Sequence, residues 1–430
     1  MACRCQVQYN KQMNLEDKRI CLLTTTHTYR SDAFTHAAEK LGIELILVFD
    51  MPTALGGQGK NALGVNFKQP ETAVATILAF AQIRPFSAII PVDDSGVYIA
   101  AKVSAALNLP HNNPISAEAA RDKLRMRQLL AKSQVPVPAF TEFNLDEDIE
   151  SIKAIVQEKI GYPCVVKPRT LNGSRGVIRA NNGEELTAVM QRVNALLHAI
   201  GGTGILVEAY MPGVEVALEG VLNHGKLQIL ALFDKPDPLE GPFFEETIYV
   251  TPSRLPTQTQ AAIAKMAEQG AAALGLQTGS VHAELRINND GVWIVEVNGR
   301  SIGGLCSQTL RFDMDMSLEE LLLRQAIGLD VTIHNREQQA SGVMMIPIPK
   351  AGILRGYSGV EDATSIEGID KITITAPLHN RLVLLPEGES YLGFIFASGE
   401  TPAYVEDALR RAHQKLQFQI DEEIPLQIKM

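Results

Sequence analysis

The sequence predicts an α/β chain that opens on a parallel sheet, continues as α+β and ends strand-rich. Three observations lead there. Apolar strand-like runs alternate with helix-length runs over about the first hundred residues. From about 139 to 330, strands and helices mix without that rhythm. From about 331 onward short strand-like runs dominate, before a helix near Val405–Leu416.

Ile20–Thr25 reads as a buried strand, Ser31–Leu41 as a helix and Glu44–Phe49 as a second strand. Thr72–Ile83 reads as a helix and Ala88–Val92 as a strand. Strands that alternate with helices pair in parallel through crossovers. Asp93 and Asp94 follow the last of these strands, at the carboxyl end where open α/β sheets bind ligands. A solvated turn explains them equally well. Pro110–Pro114 reads as a linker. Ser116 can cap a helix running to about Lys132, with Asp122, Lys123, Arg125 and Arg127 along it. Val135-Pro136-Val137-Pro138 then breaks it. The expected divisions are a mobile tail over 1–17, an N-terminal α/β domain over 18–115, a central domain over 116–330 and a C-terminal α+β domain over 331–430.

Of the 430 residues 46% are apolar and 20% charged, enough to bury a core. The net charge of −10 leaves no electrostatic footprint for nucleic acid or an anionic membrane. Neither is expected as a partner. Lysines and arginines inside glycine-rich segments gain weight against that background. Five sparse cysteines, Cys3, Cys5, Cys21, Cys164 and Cys306, imply no disulfide framework and fit a reducing cytoplasm. Cys3 and Cys5 have no second pair to complete a metal site. No secretory leader and no membrane-spanning run is expected.

The most informative segment is GSVHAELRINNDGVWIVEVNGR, Gly279 to Arg300. Val281, Ala283, Leu285 and Ile287 alternate with His282, Glu284 and Arg286, a strand with one apolar face. A three-residue loop over 289–291, ending on Gly291, pairs Asn288 with Val292, Glu284 with Glu296 and His282 with Asn298. Trp293, Val295 and Val297 then share one face, and Val292, Ile294, Glu296 and Asn298 the other. Like charges directly opposite are destabilising, so the Glu284–Glu296 pairing calls for a cation. Two carboxylates and the Asn298 carbonyl are hard donors suited to Mg²⁺. An exposed hairpin with a polar outer face is the alternative, and His282 alone is more often a hydrogen-bonded strand residue than a ligand. Arg300, Gly303 and Gly304 follow at once, as in an anion-binding turn.

Cys164-Val165-Val166-Lys167-Pro168 is a short strand ending in a lysine, followed by RTLNGSRG with Ser174 and Arg175. Small residues let backbone N–H groups approach phosphate oxygens, although the spacing is not that of a P-loop. A glycine-rich hairpin turn is the plainer reading. Glu208, Ala209 and Tyr210 close a further strand, and Glu215 lies seven residues past Glu208.

In order, RDKLRMRQLL, CVVKPRTLNGSRGV, ILVEAYMPGVE, FFEETIYVTPSRL and HAEL…VWIVEVNGRSIGG resemble the L-amino-acid ligase-like carboxylate–amine ligases of the ATP-grasp superfamily. The resemblance is strongest over about 116–310. GYSGVEDATSIEGIDKITI through LGFIFASGETPAYVEDAL looks like the C-terminal domain of such ligases. It implies an ATP-grasp fold with a lid subdomain over about 136–207. Lys123 and Lys167 would hold ATP phosphates, with the loop around Ser174 and Arg175 folded over them. Glu208, Ala209 and Tyr210 would form the adenine hinge and Glu215 would bind ribose. Glu284, Glu296 and Asn298 would hold Mg²⁺, or Mn²⁺. Arg300 would meet the phosphoryl group or a substrate carboxylate, and Glu246 the substrate amine. His282, Tyr249, Gly303 and Gly304 would line the substrate site. Similar ligases often carry His where this chain has Tyr249, and a phenol is a poor proton acceptor at neutral pH.

The implied reaction is an ADP-forming ligation. ATP phosphorylates a small carboxylate, and a small amine attacks the acyl phosphate to give a dipeptide or related amide. A purine-pathway or carboxylase-like ATP-grasp enzyme and a non-catalytic ATP-binding module are the alternatives. A homodimer through the N-terminal domain is expected.

Overall fold

The computed structural model describes residues 18–26, 28, 30–52, 59–313, 315–329, 331–333, 339–388 and 391–422. The expected tail over 1–17, with Cys3 and Cys5, lies outside them. The chain divides into two compact units, one formed by 1–110 with 316–332, the other by 111–315 with 333–430.

The first unit has a four-stranded parallel sheet in the order Ala62–Val65, Glu44–Asp50, Arg19–Thr24, Ala88–Pro91. The helices expected from sequence are present as Ser31–Leu41 and Pro70–Ile83. Gly42, at φ 69, ends the first in a left-handed cap that side chains with a Cβ disfavour. Asp93 accepts from the Thr25 N–H and hydroxyl, both at 3.0 Å, so it closes a turn within the fold. Helix Leu318–Ala326, read from sequence with the central domain, belongs to this unit. Its Glu319 pairs with Arg30 at 2.7 Å, both side chains at most 3% exposed.

The second unit is built on an eight-stranded sheet. Its order is Gly291–Asn298, Gly279–Asn288, Val214–Asn223, Lys226–Asp234, Ile248–Thr251, Ala340–Ile346, Gly393–Gly399, Ile369–Ile374. Residues 340–399 therefore extend the same sheet that carries the acidic hairpin. Helix Thr257–Leu274 covers the apolar face of that hairpin, where Val281, Ala283, Leu285, Ile294 and Val297 join Ile263, Ala267 and Leu274 in one core. Gly270 sits where a Cβ would come within 2.6 Å of Ile294, so the helix approaches the strand closely. A smaller antiparallel sheet runs Phe140–Phe143, Ile205–Ala209, Cys164–Pro168, Ile178–Ala180, with helices Ile149–Lys159 and Gly183–Ile200 packed on it. The last helix spans Pro402–His413, capped by Thr401 rather than starting at Val405.

One helix was expected from Ser116 to Lys132, and two are found. Pro114–Ala119 is capped by Asn113, and Lys123–Lys132 by Asp122, whose carboxylate accepts from the Leu124 and Arg125 amides. An acid that satisfies these first amides starts a new helix. Lys123 is consequently its first residue and not a mid-helix one.

Candidate active site

The acidic hairpin has the expected pairing at the end that carries Glu284 and His282, reached by a different route. Asn288 pairs with Gly291, not Val292, so the loop is two residues. The register then shifts between Glu284 and Leu285, and beyond it Glu284 faces Glu296 and His282 faces Asn298. Val295 is the extra residue of this β-bulge. A bulge reverses the alternation of one strand. Val292 and Ile294 therefore point into the core with Val297, while Glu296 and Asn298 lie on the opposite face. This corrects the single face expected for Val292, Ile294, Glu296 and Asn298.

On the neighbouring strand Val214–Asn223, Arg286 pairs with Glu215 and His282 with Glu219. Period two puts Glu215, Glu219, His282, Glu284 and Arg286 on one face, opposite the core. Arg286 Nε donates to Glu215 at 2.7 Å, and its guanidinium also reaches the Met211 carbonyl at 2.7 Å. Arg286 also lies 5.3 Å from the Tyr210 ring and 5.5 Å from that of Phe244.

Lys235 is the hub. It follows strand Lys226–Asp234 and is 5% exposed. Its ammonium pairs with Glu215 at 2.7 Å, with Glu284 at 3.3 Å and with Glu246, and lies 5.1 Å from the centre of the Tyr249 ring. Carboxylate oxygens of Glu215, Glu246 and Glu284 all lie within 4.8 Å of one another. Burial disfavours charge on Lys235, but the three carboxylates outweigh it and hold its pKa well above the usual value. Burial and the nearby Glu284 push Glu246 up to about 7, against the pull of Lys235. Burial would raise Glu284, yet Lys235 and His282 hold it well below the carboxylate range. Burial also opposes charge on His282, but Glu219 at 3.2 Å and Glu284 at 3.6 Å prevail and raise it to about 9. Tyr249 is buried, and burial together with Glu246 keeps the phenol neutral.

A second charged group forms around Glu208, 1% exposed. Arg127 grips it at 2.8 Å and 3.2 Å, and Lys167 pairs with it at the end of its strand. Burial alone would raise Glu208, but Arg127 and Lys167 lower it to about 2. Lys123 Nζ donates to the Leu171 carbonyl at 2.6 Å and to Glu296 at 3.3 Å, linking the glycine-rich loop to the hairpin. In that loop Gly173, Ser174 and Gly176 have φ of 57, 56 and 72. The Gly176 N–H donates to the Pro386 carbonyl at 2.8 Å, and the Arg175 N–H to Asn172. The Ala209 and Tyr210 amides donate to the Ala139 and Pro163 carbonyls, and the Tyr210 ring lies under Arg179 at 4.3 Å.

Arg300 lies half-buried in the turn after the hairpin, its guanidinium donating to the Ser301 carbonyl at 2.9 Å. Gly303 is exposed with open space where a Cβ would stand, whereas Gly304, at φ 58, packs on Phe394. The Ile302 amide donates to Glu219 at 3.0 Å, tying this turn to the His282 pair.

Sequence reasoning missed Lys235, Arg127, Arg286 and Glu219. A signal for Lys235 existed. Val166-Lys167-Pro168 and Asp234-Lys235-Pro236 both set a strand-end lysine before proline. Arg127 and Arg286 gave no signal, since their partners lie 81 and 71 residues away.

Comparison with known proteins agrees with this architecture. Residues 160–309 match the ATP-grasp domain, 35–111 the ATP-grasp N-terminal domain and 344–421 the L-amino acid ligase C-terminal domain 2. A D-alanine–D-alanine ligase from Desulforudis audaxviator is 29% identical over 213 residues, 47% of this chain and 66% of that protein. An alanine–anticapsin ligase from Bacillus subtilis is 26% identical over 276 residues, 60% of this chain and 57% of that protein. The crystal structure of an L-amino acid ligase from Bacillus licheniformis superposes with a TM-score of 0.80 at 24% identity, covering 95% of this chain and 100% of that one. The chain spans about two thirds or less of the length of the curated relatives it matches. Among the described residues no helix is long and apolar enough to cross a membrane. The chain belongs to the ATP-grasp family, in the group that carries the L-amino acid ligase C-terminal domain.

Proposed function

We propose that this protein is an ATP-dependent carboxylate–amine ligase that joins two amino acids, or an amino acid and a related amine, with release of ADP and phosphate. The observation that carries the reading is the pairing of Glu284 with Glu296, each held by its own lysine, on one face of an ATP-grasp sheet. Hard oxygen donors in this arrangement fit Mg²⁺, with Glu284, Glu296 and the Asn298 carbonyl as its ligands and Mn²⁺ as a substitute. Bound there, the ion would neutralise charge on phosphate oxygens.

Lys123 and Lys167 would orient the triphosphate, beneath the loop carrying Ser174 and Arg175. Glu208, Ala209 and Tyr210 would flank the adenine and Glu215 the ribose. The substrate carboxylate oxygen attacks the γ-phosphorus, the bond to the bridging oxygen breaks, and ADP leaves. Arg300 and Lys167 would offset the charge that develops. The amine nitrogen then attacks the acyl carbon, the carbon–oxygen bond breaks, and phosphate departs. Glu246, with its raised pKa, is suited to take the proton lost by the amine. Tyr249, His282, Gly303 and Gly304 would shape the substrate site. The acyl phosphate must be kept from water, a task suited to the lid over about 136–207. A homodimer through the N-terminal domain belongs to the same proposal, and sedimentation tests it.

The test is phosphate release with Mg²⁺-ATP over amino acids singly and in pairs, with bicarbonate as a control. Release that needs two amino acids, with a product mass equal to their sum less water, is expected. Turnover on bicarbonate alone, or unchanged turnover in Glu296→Gln, overturns the reading.

A further inference from the structure

Arg127 is 1% exposed, and its guanidinium meets four acceptors. Two are the carboxylate oxygens of Glu208. The other two are main-chain carbonyls of the acidic hairpin, Ile294 at 2.8 Å and Val295 at 3.1 Å. Strand Gly291–Asn298 stands last in the order of its sheet, so one of its edges has no partner strand. Carbonyls along a covered edge need donors from elsewhere. In a regular strand successive carbonyls point to opposite sides. Here two in succession accept from one guanidinium, and Val295 is the bulged residue.

The bulge decides where Glu296 stands. Without it, period two would put Ile294 and Glu296 on the same face. Either Ile294 would leave the core or Glu296 would leave the face that carries Glu284. With it, Ile294 is buried in the core and Glu296 still faces Glu284. Arg127 follows Lys123 by one helical turn, and the Lys123 ammonium donates to Glu296 at 3.3 Å. One face of helix Lys123–Lys132 thus holds the hairpin at two successive points, the bulge and the acid after it.

We infer that Arg127 is a positioning residue for the proposed metal site, holding the Val295 bulge in the register that sets Glu296 opposite Glu284. The inference rests on the ligase reading above, through the ion assigned there to these two acids. Lysine would keep the charge against Glu208, but it has no planar fork to span two carboxylate oxygens and two carbonyls. Replacing a residue that orients a metal ligand typically costs about 10–100-fold in metal affinity or activity.

The experiment titrates Mn²⁺, read by electron paramagnetic resonance, into protein saturated with a non-hydrolysable ATP analogue. The wild type is compared with Arg127→Lys, Glu296→Gln and Val156→Ala. Val156 is buried in the core of the smaller sheet, so its truncation lowers stability without touching the hairpin. Thermal midpoints report folding, and kcat and KM for amino acids are measured alongside. Arg127→Lys should bind Mn²⁺ about ten-fold more weakly than the wild type and lower kcat by a similar factor, with amino-acid KM within about three-fold. Val156→Ala should lower the midpoint and keep the Mn²⁺ affinity. Should Arg127→Lys fail to fold, the double variant Arg127→Gln/Glu208→Gln, which removes both charges of the buried pair, should show the same loss of Mn²⁺ affinity. Wild-type Mn²⁺ affinity in the Arg127 variant overturns the inference. Equal weakening in Val156→Ala also overturns it, by tracing the effect to lost stability. Unchanged affinity in Glu296→Gln places the ion elsewhere and overturns the inference together with the metal assignment. Absence of turnover with every amino-acid pair overturns the ligase reading, and the metal titration still decides this inference.

Discussion

Glu284 and Glu296 face each other across the hairpin, and each leans on a different lysine, Lys235 and Lys123, both at 3.3 Å. Two carboxylates directly opposite repel, and the two lysines offset them from two sides. Mg²⁺ is proposed to meet the same oxygens. Glu284→Gln and Glu296→Gln should each lower turnover at least 100-fold while the protein stays folded. In the wild type with nucleotide, added Mg²⁺ should raise the thermal midpoint, and in both variants that rise should shrink or vanish. An equal rise in variants and wild type would place the ion elsewhere.

Lys235 holds Glu215, Glu246 and Glu284 together. Lys235→Met leaves three carboxylates crowded and partly buried without their cation. Removing one partner of a buried pair costs about 3–5 kcal/mol, and that loss is expected in urea unfolding. Lys235→Arg keeps the charge and should lose less. A loss below about 1 kcal/mol in Lys235→Met would show that the carboxylates do not depend on it.

Glu208 sets an acid limit. Its pKa falls from 4.5 unfolded to about 2 folded, because Arg127 and Lys167 outweigh the cost of burial. A carboxyl lowered on folding contributes stability above its unfolded value and loses it as pH falls through the folded one. The window is therefore pH 4.5 down to about 2. The stability gap between wild type and Glu208→Gln should be constant from pH 7 to 5 and narrow by about 2 kcal/mol by pH 3. Urea titrations at those pH values would show it, and a gap unchanged at pH 3 would refute it.

Tyr249 should act as a wall. Burial and Glu246 keep its phenol neutral at ordinary pH, so it has no vacancy for a proton. Tyr249→Phe should change kcat/KM less than about five-fold and leave the pH–rate profile in place. Glu246→Gln should cost 100-fold or more, within the usual range for losing a general base. A pH profile displaced by Tyr249→Phe would assign the phenol a part in proton transfer.

Much of the fold was legible because it depends on local period. The alternation of Val281, Ala283 and Leu285 with His282 and Glu284 identifies a strand with one polar face, and the structure has that strand. Strands Arg19–Thr24, Glu44–Asp50 and Ala88–Pro91 and helices Ser31–Leu41 and Pro70–Ile83 of the first unit were legible for the same reason, whereas strand Ala62–Val65 and helix Asp94–Ala106 were not. The hairpin shows the limit. Asn289-Asp290-Gly291 is compatible with a two- or a three-residue loop, and the bulge at Val295 compensates the difference. Both readings bring Glu284 to Glu296, but only one sends Ile294 into the core. That choice is made by Gly270 of the covering helix, which leaves room for the Ile294 side chain.

Sequence alone determined the order along the chain of the residues proposed for phosphate and metal chemistry, and the pairing of Glu284 with Glu296. These follow from spacing and from the geometry of a strand. Tertiary structure decided which cation meets which acid. Arg127 reaches Glu208 across 81 residues, Lys123 reaches Glu296 across 173, and Lys235 meets three carboxylates delivered by two further strands and a loop. Sheet order, not spacing, brings these groups together, and the burial that follows separates their proton affinities. Coulomb attraction and desolvation both depend on distance and solvent access in the folded state, and neither quantity is present in a one-dimensional chain.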